Sequence, residues 1–115
     1  MTNQEIFNTI YLGLESQGFK RSRDEMRGYC MFRGDNGMKC AAGWLIPDEE
    51  YDEDFENQGM VVQNDWFINH FGDAYGDTIW LIRDLQKIHD GSKTPDEMKE
   101  GLTRFAKHSN LTVPV

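Results

Sequence analysis

Cysteine is scarce in this chain: Cys30 and Cys40 are the only two in 115 residues. Two cysteines cannot build a disulfide framework or a closed all-cysteine zinc site. Histidine is also thin, at three residues, and no C-x-x-C or H-x3-H spacing joins it to the thiols. No apolar run approaches the roughly 20 residues of a membrane-spanning helix. Met1 is followed by polar Thr2 to Glu5, without the basic start and apolar stretch of a secretory leader. These absences point to a cytoplasmic protein with reduced thiols, no cofactor and no membrane association. Basic residues are outnumbered too, 12 against 20 acids, for a net charge of −8. Phosphate neutralisation drives non-specific nucleic-acid binding, so direct binding of nucleic acid is disfavoured.

What is present argues for a folded domain. Three Trp, four Tyr and seven Phe supply large burial areas per residue, and the length suits one core. Residues 1–115 are therefore read as a single domain. Thr2 and Glu5 form a capping box ahead of Ile6, Phe7, Ile10 and Leu14 at helical spacing, with Gly18 as the stop. Tyr29 to Arg33 and Met38 onward flank Gly34-Asp35-Asn36-Gly37, whose Asn-Gly is a hairpin signal. From Lys39, "KCAAGWLI" reads as a short helix ended by Pro47. "NDWFINHFG" reads as another, with Asn64 or Asp65 as cap, Gly72 as stop, and Trp66, Phe67 and Phe71 turned to the core. Asp77 caps a helix with an apolar stripe of Ile79, Leu81, Ile82, Leu85 and Ile88. Thr94-Pro95-Asp96-Glu97 opens the last helix, which carries Met98, Leu102, Phe105 and Ala106 on one face. The expected fold is α+β: mostly helical, with four to five helices and one small β-hairpin.

The charge is unevenly placed. Asp48 to Glu56 holds seven carboxylates in nine residues (Asp48, Glu49, Glu50, Asp52, Glu53, Asp54 and Glu56), interleaved with Tyr51 and Phe55. Outside that run acids and bases nearly balance. The stretch from Lys20 to Lys39 leans the other way, with six bases against three acids. The acidic run lacks the central glycine and alternating ligands of a calcium loop. The glycine turn is not followed by a phosphate-loop signature either. Carboxylates beside aromatics do suit docking on a basic protein surface, where charge steers encounter and rings anchor.

Three kinds of chemistry compete with that reading. Arg33, Lys39, Gln86 and His89 could line a pocket for a small ligand or nucleotide. Cys40, near the start of a short helix and beside Lys39, is the best nucleophile, with His89 as its base. Cys30, Cys40, His89 and a carboxylate could share a metal, but the spacing patterns of metal sites are absent. Small neighbours at Ala41, Ala42 and Gly43 favour close packing of Cys40 instead. A buried His89 bonded to backbone is the plainer role for the histidine.

The stretch "CMFRGDNGMKCAAGWLIPDEEY" together with "LQKIHD" resembles a family of small, mostly uncharacterised proteins encoded by bacteriophages and bacteria. Its pattern runs C-x-Y-R, a glycine turn, K-C-A-x-G-x-L-I-P-D-E, then L-Q-x-I-H-D. Matching positions include Cys30, Arg33, Gly37, Lys39, Cys40, Ala41, Gly43, Pro47, Asp48, Glu49, Gln86, His89 and Asp90. Phe32 stands where the pattern has tyrosine, which removes a hydroxyl. The resemblance implies phage or prophage origin and no established activity. With the acidic run it gives the leading expectation: a non-enzymatic accessory protein in the host cytoplasm that binds and inhibits or modulates a host or defence protein, one that handles nucleic acid and presents a basic surface. The positive and negative faces could also pair between subunits, giving a homo-oligomer.

Overall fold

The computed structural model describes residues 1–22, 31–57, 61–72 and 77–114. Four α-helices carry the fold: α1 (Asn3–Ser16), α2 (Asp65–Phe71), α3 (Asp77–Gly91) and α4 (Pro95–His108). Between α1 and α2 the described chain advances through short 3-10 turns at Asp35–Gly37, Ala42–Leu45, Asp48–Glu50, Glu53–Asn57 and Val61–Gln63.

The caps follow from the sequence. Thr2 Oγ1 accepts from the Glu5 amide at 3.1 Å and Thr2 N–H donates back to Glu5 Oε1 at 2.8 Å, so two otherwise orphaned donors are satisfied at once. Gly18 takes a left-handed φ of +71° just past α1. Phe19 follows at +56°; its ring is buried and meets Tyr11 edge-on at 5.4 Å, which offsets the strain of that backbone. Asn64 caps α2 by accepting from the Trp66 and Phe67 amides. Asp77 is the first residue of α3; the residues before it lie outside the described set. At α4, Thr94 Oγ1 accepts from Glu97 N–H, while the Glu97 carboxylate takes the Lys93 amide rather than that of Thr94.

Ile6, Phe7, Ile10 and Leu14 of α1, Phe67 of α2, Ile82 and Leu85 of α3, and Met98 and Leu102 of α4 are fully buried. α3 is the hub, packed against α1, α2, α4 and the turns at Ala42–Leu45 and Val61–Gln63. Its stripe differs from the expected one at a single place: Ile88 is half-buried, and His89 is the residue that enters the core.

The hairpin requires correction, and with it the α+β class. Among the described residues there is no strand, only one isolated antiparallel bridge, Arg33 to Lys39. Gly34 N–H donates to Met38 O at 3.0 Å and Cys40 N–H to Phe32 O at 3.3 Å. A ladder would continue with Phe32 N–H returning a bond to Cys40. Phe32 N–H instead donates to Glu56 Oε1 at 2.9 Å, and Arg33 N–H to Glu56 Oε2 at 3.1 Å. On the other side, Gln17 accepts from Lys39 N–H and donates to Lys39 O. The Glu56 carboxylate thus takes the Phe32 amide that a second rung needs, while Gln17 binds the outward-facing backbone groups of Lys39. The domain is helical, with a turn where the hairpin was expected.

Candidate functional site

The acidic segment is built as a scaffold. Pro47 sets the chain extended before the turn at Asp48–Glu50, which lifts Asp48 out to be the anion between two cations. Arg33 Nη2 donates to Asp48 Oδ1 at 2.7 Å and to Ile46 O at 3.2 Å. Lys39 Nζ reaches the same carboxylate oxygen at 3.5 Å. Both cations also lie on aromatic faces, Arg33 over Tyr51 at 4.4 Å and Lys39 over Trp44 at 4.7 Å. Lys39, and then Arg33, hold the Asp48 carboxyl below the usual carboxylate range.

The far end of the run is pinned by Glu56. Besides the two amides described above, its carboxylate accepts from the Tyr51 hydroxyl at 2.5 Å. Burial, followed by the Glu56 bond and charge, pushes the Tyr51 phenol well above its ordinary value. Phe55 is buried beneath the run, with its ring 5.8 Å from Tyr51 and 5.9 Å from Trp66. Midway, Glu50 Oε1 accepts from the Trp66 indole at 3.4 Å. The His70 ring stacks on that indole at 4.1 Å, with Nε2 3.8 Å from Glu50.

The nine residues of the expected docking face therefore divide by role. Asp48, Glu50, Tyr51, Phe55 and Glu56 fasten the segment to the body. Glu49, Asp52, Glu53 and Asp54 are exposed and form no ion pair among the described residues. Asp52 Oδ1 accepts from Asp54 N–H at 2.9 Å, so even the outer turn has a fixed shape.

The ligand-site candidates are distributed over two clusters. Arg33 and Lys39 converge on Asp48. Gln86 and His89 converge on Asp90 and on backbone: Gln86 Nε2 and His89 Nδ1 both donate to Asp90 Oδ1, at 2.7 and 2.8 Å. Gln86 Oε1 accepts from Ala42 N–H at 2.8 Å, and His89 Nε2 accepts from Ser22 N–H at 3.0 Å. An amide can donate only to an unprotonated ring nitrogen, so these bonds define the tautomer with the proton on Nδ1. The carboxylate–imidazole pair is the orienting half of a catalytic triad. Here the position a nucleophile would occupy is filled by a backbone amide.

Cys40 is 1% exposed, and its sulfur accepts from Gly43 N–H at 3.3 Å. Its packing is enforced by Gly43, where a Cβ would stand 2.2 Å from Phe32 O. The run of small residues is thus a close crossing of two backbones. Cys30, and with it the weak candidate for a metal shared by the two thiols, lies outside the described residues. Among the described residues no three His, Cys, Asp or Glu side chains group as metal ligands. No described helix is long and apolar enough to cross a membrane.

Sequence reasoning missed Gln17 and Ser22, which receive the turn and the histidine, and the anchoring role of Glu56. A carboxylate that accepts amides across 24 residues leaves no local signal. Scans against family models, curated proteins and solved structures found no match. Fold and site together define a small helical domain that carries a rigidly mounted acidic surface.

Proposed function

We propose that this protein is a non-enzymatic binding module whose outward carboxylates, Glu49, Asp52, Glu53 and Asp54, dock on a basic surface of another protein. The single observation that supports the reading is the mounting of the acidic run. Like charges repel, and an unanchored acidic loop would pay ordering entropy on binding. Here Asp48, Glu50, Phe55 and Glu56 hold the backbone, so that cost is met in folding. Preorganised charge of one sign favours fast, salt-sensitive association. The partner class is a protein that handles nucleic acid, since its phosphate-binding surface is basic. That this partner is a host or defence protein, inhibited by occupation of that surface, rests on the resemblance of residues 30–51 and 85–90 to phage-encoded proteins.

The test is capture from host lysate by the native chain and by a variant carrying Asp52→Asn, Glu53→Gln and Asp54→Asn. None of the three side chains anchors another element, so the variant keeps the native unfolding midpoint. The native chain retains a basic protein at low salt and releases it as salt rises; the variant retains markedly less. Equal capture by both forms at low salt would refute the docking face.

A further inference from the structure

A second charged feature lies away from the acidic run, where the segment just after α1 faces the start of α4. Phe19, Lys20 and Arg21 on one side, and Ser92, Lys93, Thr94 and Pro95 on the other, line a cleft of about 220 Å³. We propose that this cleft binds the phosphate group of a small phosphorylated ligand. The inference is independent of the acidic face.

Its cations come from two segments about seventy residues apart in sequence and converge only in the fold. Arg33, Lys39, Arg83 and Arg104 are each committed to a carboxylate. Lys20, Arg21 and Lys93 have no carboxylate within ion-pair distance among the described residues. Arg21 Nη1 donates to the Asp90 carbonyl at 3.3 Å, which holds the guanidinium at the cleft and leaves its remaining donors unused. Lys87, Lys99 and Lys107 also lack an ion pair among the described residues but do not line this cleft. In a chain of net charge −8, it is the convergence of three such cations on one concavity that favours an anion there.

The walls are also prepared. Gln17 Nε2 donates to Lys20 O at 2.8 Å, and the left-handed turn at Gly18 and Phe19 fixes the first wall. The Ser92 hydroxyl is spent on Ile88 O at 2.6 Å. Thr94 Oγ1 accepts from Glu97 N–H and keeps its own hydrogen for a phosphate oxygen. Pro95 has no amide hydrogen, so this end of α4 offers its dipole more than its donors. The opposing charges are Asp96 and Glu97 in the first turn of α4, and Glu97 is turned back onto Lys93 N–H at 2.8 Å. The volume falls below the roughly 300–1,000 Å³ of pockets that enclose drug-sized ligands. It suits a phosphate with a sugar-sized remainder, leaving a nucleobase outside.

The experiment is an amide chemical-shift titration of the full chain with inorganic phosphate, pyrophosphate and ribose 5-phosphate, with ionic strength held constant by chloride. Saturable shifts confined to residues 19–21 and 92–96 are expected. Lys20→Gln and Lys93→Gln, whose side chains make no bond within the described fold, should each weaken binding about tenfold, or about 1.4 kcal/mol, without moving the ligand-free unfolding midpoint. Ribose 5-phosphate binding more tightly than phosphate would place a sugar in the cleft. Equal affinity would restrict the site to the phosphate group and refute the sugar-sized remainder. Shifts that fail to saturate by about 10 mM at constant ionic strength, or that persist unchanged in both variants, would overturn the proposal.

Discussion

Glu56 and Asp54 are both acids of one run, two residues apart, and do unrelated work. Asp54 faces water. Glu56 accepts from two amides and a phenol. Replacing it with Gln substitutes a donor for an acceptor and leaves at least one of those partners unmet, a cost of about 1–3 kcal/mol. Asp54→Asn should leave the urea midpoint unchanged. Tyr51 reports on the same bond. Its pKa is raised in the folded chain, so its contribution is complete below the ordinary phenol value near 10 and is lost as pH rises towards the folded value. Alkaline absorbance titration should show one phenol that ionises late in the native protein. That late phenol should be missing from Tyr51→Phe and should titrate earlier in Glu56→Gln; an unaltered Glu56→Gln profile would contradict the assigned bond.

Among the elements, the helices were legible because each carries local evidence: a polar residue at its start and an apolar period, with a glycine stop as well for α1 and α2. The missing ladder beside the turn after Arg33 was not. Gly34-Asp35-Asn36-Gly37 does reverse the chain, with Asn36 at φ +60° and Gly37 at +73°, as its residues demand. Whether a ladder then grows depends on what takes the next amide, that of Phe32, and Glu56 takes it. Gly43 belongs to this scale too. It lets the turn at Ala42–Leu45 approach Phe32 and lets Ala42 N–H meet Gln86. Gly43→Ala should therefore cost about 1–3 kcal/mol or more in urea unfolding, although alanine is the better helix former. A stabilised variant would show that the crossing is looser than the 2.2 Å approach implies.

For the molecule as a whole, three charge situations stand out among the described residues: carboxylates paired for structure, carboxylates turned to water, and the three cations Lys20, Arg21 and Lys93 that line one cleft. Asp48 makes a small contribution to the acid side of stability. Its folded pKa is depressed, so its contribution is present above the ordinary carboxylate value near 4 and disappears as pH falls through the lower folded value. The midpoint difference between native chain and Asp48→Asn should be constant from about pH 5 to 7 and shrink below about pH 4. With the Asp48 side chain 80% exposed, that difference is small and falls further in high salt. A difference independent of pH would assign the effect of the substitution to packing.

The sequence by itself determined the helices, the caps at Thr2, Asn64 and Thr94, the amphipathic faces and the location of the acidic run, because those depend on residues within a turn or two of one another. The tertiary structure alone decided what became of the polar groups. It chose the Ser22 amide as the donor to the buried His89 Nε2, divided the candidate pocket between Asp48 and Asp90, ended the hairpin at a carboxylate 24 residues away, and brought Lys20 and Arg21 into one cleft with Lys93. The physical reason is the same in each case. A buried or backbone polar group must find a partner, and which partner is near enough is settled by packing of the whole chain.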